Sequence, residues 1–209
     1  MEKGCLISFE GGEGAGKSTQ AKLLYDKLKS KGYKVVLTKE PGGTEIGNKI
    51  RKLLLDLDNK KMSAWTEILL YTADRAQDIV ENIKPAYKDG KIVLVDRYID
   101  SNIIYQGFGR KIDIDKIKRI NKWVVKNIYP DLTILLDIEV EQGLKRARAI
   151  SNSNDRLEEE IIEFHQSIRK GYLKLAQKED RVKKFNADQV PGELQQKIWE
   201  TVKTSLLSA

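Results

Sequence analysis

Residues 11–18 read GGEGAGKS, and Gly11, Gly16, Lys17 and Ser18 occupy the fixed positions of G-x-x-x-x-G-K-[ST]. Chemistry of one kind fits that spacing, the cradling of a phosphate chain. Glycines let the backbone fold back so that successive N–H groups point inward at phosphate oxygens, where a Cβ would obstruct. Lys17 brings a compact positive charge to the outer phosphates, and the Ser18 hydroxyl is a hard oxygen suited to Mg²⁺. Gly12, Glu13, Gly14, Ala15 and Thr19 complete the segment expected to touch the nucleotide.

A second anion has to be held opposite the first if the terminal phosphate is to move. Arginines at strand ends and in nearby loops are the natural groups. The run KIVLVD (91–96) ends in Asp96, followed at once by Arg97 and Tyr98, where ligands of open α/β sheets bind. EPGGT (40–44) follows another apolar run, and Arg51 lies one helical stretch beyond it. Tyr71 and Arg75 are four apart on a helical pattern, hence on one face, a ring and a guanidinium suited to gripping a flat base. Neither a D-x-x-G nor an N-K-x-D segment occurs, which argues against a switch GTPase, and the chain is short for a motor ATPase. A small phosphotransferase acting on a nucleoside or nucleotide remains.

These groups need a scaffold. CLISFE (5–10), KVVLT (34–38), KIVLVD (91–96), LTILLD (132–137) and VKKF (182–185) read as strands, three of them nearly continuous in β-branched and leucine residues. Between them runs helical spacing: Leu24 and Leu28; Trp65, Leu69, Ala73, Ala76, Val80 and Ile83; a long helix marked by Leu157, Ile161, Phe164, Ile168, Tyr172 and Leu175; and Leu194, Ile198, Val202 and Leu206. Gly32 and Gly90 stand where helices should end. The alternation predicts an α/β fold, a parallel five-stranded sheet with helices on both faces. No proline- or serine-rich linker divides residues 1–209, so one domain is expected. SNSND (151–155), after the basic GLKRARA (143–149), reads as a mobile surface loop. Trp65, Trp123 and Trp199 read as packing residues, and His165, the only histidine, as a surface group.

Of the 209 residues, 40% are hydrophobic and 33% charged, which suits a globular domain. The net charge of +7 comes from lysines scattered along the chain, with no block of five or six like charges, so no nucleic-acid partner is expected. A single cysteine, Cys5, lies in an apolar run and predicts a buried thiol in a reducing compartment. No leader peptide or membrane span is read, and a cytoplasmic protein is expected.

FEGGEGAGKSTQ (9–20), EPGGTEIGNKIRKLLLD (40–56), LLYTADRAQ (69–77), DRYIDSNIIYQGFGR (96–110) and GLKRARA (143–149) together resemble, in order, the successive motifs of bacterial thymidylate kinase. The resemblance implies a P-loop kinase with a mobile lid at about 143–157, working as a homodimer, with helices around 63–84 and 99–108 as a possible interface. It implies transfer of the γ-phosphate of ATP to thymidine monophosphate (dTMP), with Mg²⁺, on the way to thymidine triphosphate. Arg51 and Arg97 would hold the acceptor phosphate, Arg75 the base edge, and Tyr71 would stack where relatives usually have phenylalanine. Ser101, Asn102 and Gln106 would read other polar atoms of the base, with Pro41 and Leu55 in the same pocket. Tyr105 would press where a ribose carries its extra hydroxyl. Glu13 would accept from the sugar hydroxyl or steady the metal's water, and Asp96 would join Ser18 at the metal. Lys39 stands where arginine is expected. Some relatives carry a catalytic arginine in the cradle; here Glu13, Gly14 and Ala15 fill those positions, so Arg146, Arg148 and Arg156 are left to serve, Arg148 and Arg156 before Arg146. Lys17, Arg97, Asp96 and Glu13 complete the expected catalytic set. A kinase for another nucleotide and a nucleotide-binding regulator without turnover stand as alternatives.

Overall fold

The computed structural model describes residues 4–150 and 155–207. Apolar runs form five strands: β1 (Cys5–Gly11), β2 (Val35–Lys39), β3 (Ile92–Asp96), β4 (Leu132–Asp137) and β5 (Val182–Asn186). All pair in parallel, in the order β2-β3-β1-β4-β5. β1 is buried along its whole length, as expected for a central strand covered on both faces, whereas edge strand β5 exposes most of its residues. The chain leaves β1 for opposite sides of the sheet, so a crevice opens where the strand order reverses. Register fixes its floor: Phe9 pairs with Asp96 and Ile134, and Gly11 with Leu136.

Helix α1 (Lys17–Ser30) begins straight after the cradle, and Gly32 at φ 84° turns the chain away at its end. α2 (Glu45–Leu55) is capped by Thr44, whose hydroxyl accepts from Gly47 N at 2.9 Å, and α3 (Ala64–Asp78) by Ser63 in the same manner. A wider π-turn, Ile79–Ile83, carries α3 into α4 (Lys84–Lys88), beyond which Gly90 adopts φ 67°. α5 (Ile99–Asn102) continues into a π-helical segment, Ile103–Gly109. α6 (Ile114–Val125), α7 (Val140–Ile150), α8 (Ile162–Lys178) and α9 (Pro191–Val202) complete the layers. α1 and α9 bury Leu24, Leu28, Leu194 and Ile198 against Ile7, Phe9 and Ile134. On the other face, Ile83, Tyr98 and Val125 pack on Leu6, Val93 and Val95, while Ile104, Tyr105, Ile168 and Tyr172 pack on Leu135.

Two helical expectations are corrected. α8 starts at Ile162 rather than Leu157. Asp155 accepts the backbone N–H groups of Leu157 and Glu158, each at 2.9 Å, and so closes a separate turn; Leu157 is buried in it while Ile161 is exposed. Of the loop read at 151–155, only Asp155 lies within the described residues. Along α3 and the π-turn after it most of the expected apolar stripe faces out: Trp65, Leu69 and Val80 are 44%, 55% and 65% exposed, and only Ile83 at its end turns into the core. The buried face carries Ile68 with Glu67, Thr72, Asp74, Arg75 and Asp78. Spacing tells which residues share a face, and here the polar one turns inward because its side chains pair with polar side chains of other segments and with loop backbone. Trp123 is 86% exposed, against the expectation of packing, whereas Trp199 packs on the core beneath Lys27. His165 is buried, not superficial, packed edge-on against Phe164. Among the described residues no helix is long and apolar enough to cross a membrane.

Candidate active site

The cradle closes as the glycine spacing demands. Gly14 has φ 64°, and a Cβ there would lie 1.9 Å from the carbonyl oxygen of Gly143 on α7, so the loop and α7 touch backbone to backbone. Lys17, buried, curls over the loop and donates to Gly12 O at 2.6 Å. Burial pushes its ammonium down to about 8, helped by the Arg97 charge and opposed by Glu13 and Asp96.

The turn after β3 supplies the next groups. Arg97 sits at φ 69°, a region costly for any residue with a Cβ. Its neighbours hold it there: Arg97 N donates to Phe9 O at 3.0 Å, and Tyr98 N to the buried Glu10 carboxylate at 2.8 Å. The guanidinium donates to Gly11 O at 3.1 Å and to Glu13 at 2.8 Å, and lies 4.9 Å from the centre of the Tyr105 ring. Glu13 also accepts from the Tyr105 hydroxyl at 2.7 Å. Burial opposes its charge, but Arg97, Lys17 and Tyr105 outweigh burial and bring its carboxyl down to about 2. Asp96 accepts from the Ser18 hydroxyl at 2.5 Å. Lys39, exposed, stands opposite Asp96 in the register of β2 on β3. No cluster of three acidic, histidine or cysteine side chains that could hold a metal occurs among the described residues. A hydroxyl beside one carboxylate fits Mg²⁺, which takes few protein oxygens and shares its shell with water and phosphates.

Beside the cradle opens a second pocket. Every residue expected to hold the acceptor lines it: Glu13, Pro41, Arg51, Leu55, Tyr71, Arg75, Arg97, Ser101, Asn102, Tyr105 and Gln106. Arg51 donates to Pro41 O at 3.0 Å. Arg75 is buried and stacked 5.3 Å from the Tyr98 ring centre. Its Nε and one terminal nitrogen each reach Glu40 at 2.7 Å, and the other terminal nitrogen reaches Asn121 at 2.9 Å and also Asn102. The Ser101 hydroxyl donates to Glu10 at 2.6 Å and lies 3.0 Å from the Tyr172 hydroxyl. Burial raises the Tyr71 hydroxyl well above its ordinary range, so it stays protonated.

The three late arginines separate. Arg146 is held on the loop after β5, through Ala187 O at 2.9 Å and Asp188 at 2.7 Å. Arg148 is exposed on α7, within electrostatic reach of Glu158 and His165. Arg156 is buried: it donates to Leu54 O at 2.9 Å and to Glu67 at 2.5 Å. Arg156, expected to serve the transferring phosphate, is thus engaged by Glu67 and by the end of α2 in this structure. Burial also lowers the basicity of His165, and its Nε2 has no hydrogen-bond partner among the described residues.

Sequence reasoning missed Glu10, Glu40 and Glu67, the buried acids behind the arginines and amides. Glu67 was accessible, lying four residues before Tyr71 and eight before Arg75 on the same face. Glu10 and Glu40 carried no periodic signal, because each is defined by partners distant in sequence.

The family model described as thymidylate kinase matches residues 9–198. A thymidylate kinase of Halothermothrix orenii is 52% identical over 207 residues, covering 98% of this chain and 99% of its own. One from Geotalea daltonii is 51% identical over 182 residues, covering 84% and 85%. The crystal structure of thymidylate kinase from Ehrlichia chaffeensis superposes with a TM-score of 0.78 at 31% identity, over 96% of this chain and 99% of that one. With cradle, acceptor pocket and strand order all in place and a match running nearly end to end, the chain belongs to the thymidylate kinase family.

Proposed function

We propose that this chain transfers the γ-phosphate of ATP to dTMP through the residues gathered at β1, β3 and α3. One observation carries the assignment of residues: Glu13 belongs at once to the cradle and to the lining of the second pocket, with Arg97 bonded to both loop and carboxylate. Donor and acceptor phosphates thus meet at a shared guanidinium. An oxygen of the acceptor phosphate attacks the γ-phosphorus, the bond to the β,γ-bridging oxygen breaks, and ADP leaves. No protein group is phosphorylated and no base is required, because the acceptor phosphate is already anionic. Glu13, ionised, holds Arg97 and Tyr105 in place rather than moving a proton. Lys17, the cradle amides and Arg97 neutralise charge as the phosphoryl group passes, and Arg148 on α7 adds to them. Ser18 and Asp96 would hold Mg²⁺, which would supply further charge neutralisation on the phosphates. Tyr71 stacks on the base, and Arg51 holds the acceptor phosphate by its planar fork.

The chain works as one kinase domain, with a lid at about 143–157. The exposed stripe of Trp65 and Leu69 on α3 and Val80 just beyond it supports pairing of two copies, which sedimentation would read as twice the chain mass. The lone cysteine, buried in β1, supports a reducing compartment, the cytoplasm. A panel of nucleoside monophosphates with ATP tests the assignment. dTMP is expected to be used far better than the others; equal use of a purine monophosphate would refute it.

A further inference from the structure

Behind the acceptor pocket runs a chain of three hydrogen bonds with a fixed direction. Arg75 donates to Asn102 Oδ1, Asn102 Nδ2 donates to Gln106 Oε1 at 2.9 Å, and Gln106 Nε2 donates to Glu67 Oε1 at 3.0 Å. A guanidinium only donates and a carboxylate only accepts, so the two amides between them must point the same way. Arg75, Asn102 and Gln106 line the pocket, whereas Glu67 does not. Glu67 is buried and pinned from behind: Arg110 donates to it twice at 3.1 Å and Arg156 once at 2.5 Å. Burial disfavours its charge, but Arg110, Gln106 and Arg156 together keep its carboxyl below the ordinary range.

We propose that Glu67 is a specificity-determining positioning residue: it fixes the polarity of the Asn102–Gln106 amides so that the pocket presents N–H donors to a pyrimidine's carbonyl edge. Each amide then has one N–H left for a ligand. A base with a carbonyl at its 4-position satisfies such donors; one with an amino group there sets donor against donor. Turning the Gln106 amide to suit the amino base creates two mismatches, at Asn102 and at Glu67. With Glu67 made neutral and able to donate, only the mismatch at Asn102 remains, and selectivity weakens.

This inference rests on the kinase reading above, and the test separates the two. The measurement is kcat/KM for dTMP and for deoxycytidine monophosphate in the wild type, Glu67→Gln and Glu67→Asp. Glu67→Gln keeps the reach and loses the acceptor-only character. Glu67→Asp keeps the charge that Arg110 and Arg156 need for folding but withdraws the carboxylate by about 1.5 Å, out of reach of Gln106. The thymine-to-cytosine ratio should fall about tenfold, as for loss of one buried mismatch. A ratio unchanged within about twofold in a folded variant overturns the inference, including the case in which both substrates lose activity equally, as a merely structural residue would cause. A wild type that does not phosphorylate dTMP overturns the kinase reading instead.

Discussion

Lys17 offers a test that reaches the phosphate cradle without altering a residue. Its ammonium is buried among Gly12, Glu13 and Arg97 and titrates at about 8, not the usual 10.5, chiefly because burial disfavours the charge. A bound triphosphate restores the charged form, so ATP binding above that pH must draw a proton from solvent. At pH ~8.5 a group titrating near 8 is about three-quarters deprotonated, so binding should take up about 0.7 proton and be roughly fourfold weaker than at pH ~7. Calorimetry of a non-hydrolysable ATP analogue, in two buffers of different ionisation enthalpy, reads the proton count from the difference in apparent heat. At pH ~7 uptake should be near zero. Tight binding at pH ~8.5 with no buffer dependence would show that Lys17 is fully charged in the free protein and would refute this reasoning.

Gly14→Ala forces a Cβ into the Gly143 carbonyl at 1.9 Å, from a backbone of φ 64°, and should abolish ATP binding while far-UV circular dichroism shows the sheet retained. Arg148→Ala should reduce kcat by about two orders of magnitude with KM for dTMP nearly unchanged, since its charge is needed only as the phosphoryl group moves; an unaltered kcat removes it from the mechanism. Asp74, which accepts from Gly42 N at 2.9 Å, is raised by burial to about 6 from 3.8. The native state therefore holds more protons than the unfolded one between about pH 4 and 6, and this group's contribution to stability falls as pH rises through that window. Asp74→Asn keeps the acceptor and removes the buried charge, so it should raise Tm by a few degrees at pH ~7, a gain that vanishes by pH ~3.

The strands were legible because burial on both sheet faces demands unbroken apolar runs, and β3 and β4 consist of little else. The cradle was legible because glycine is required where backbone approaches phosphate, and the order of strand, loop and helix left one reading. The same logic failed on α3. Periodicity put Trp65, Leu69 and Val80 on one face, with Ile83 wrongly among them, but nothing local said that the opposite, polar face would be turned inward. His165 failed for the same reason, since one residue's orientation on α8 depends on what the cradle and α7 leave beside it.

By itself the sequence determined the sheet, the phosphate loop and the set of side chains around the acceptor, all of which follow from local spacing or from motifs in a fixed order. Only the tertiary structure decided what those side chains do to one another. Glu13 is clamped by Arg97 and Tyr105, Arg156 is drawn away to Glu67, and Glu10 braces the Arg97 turn. Those contacts join residues up to about ninety positions apart, and a buried charge takes its character from whichever partner the fold brings within a few ångströms of it.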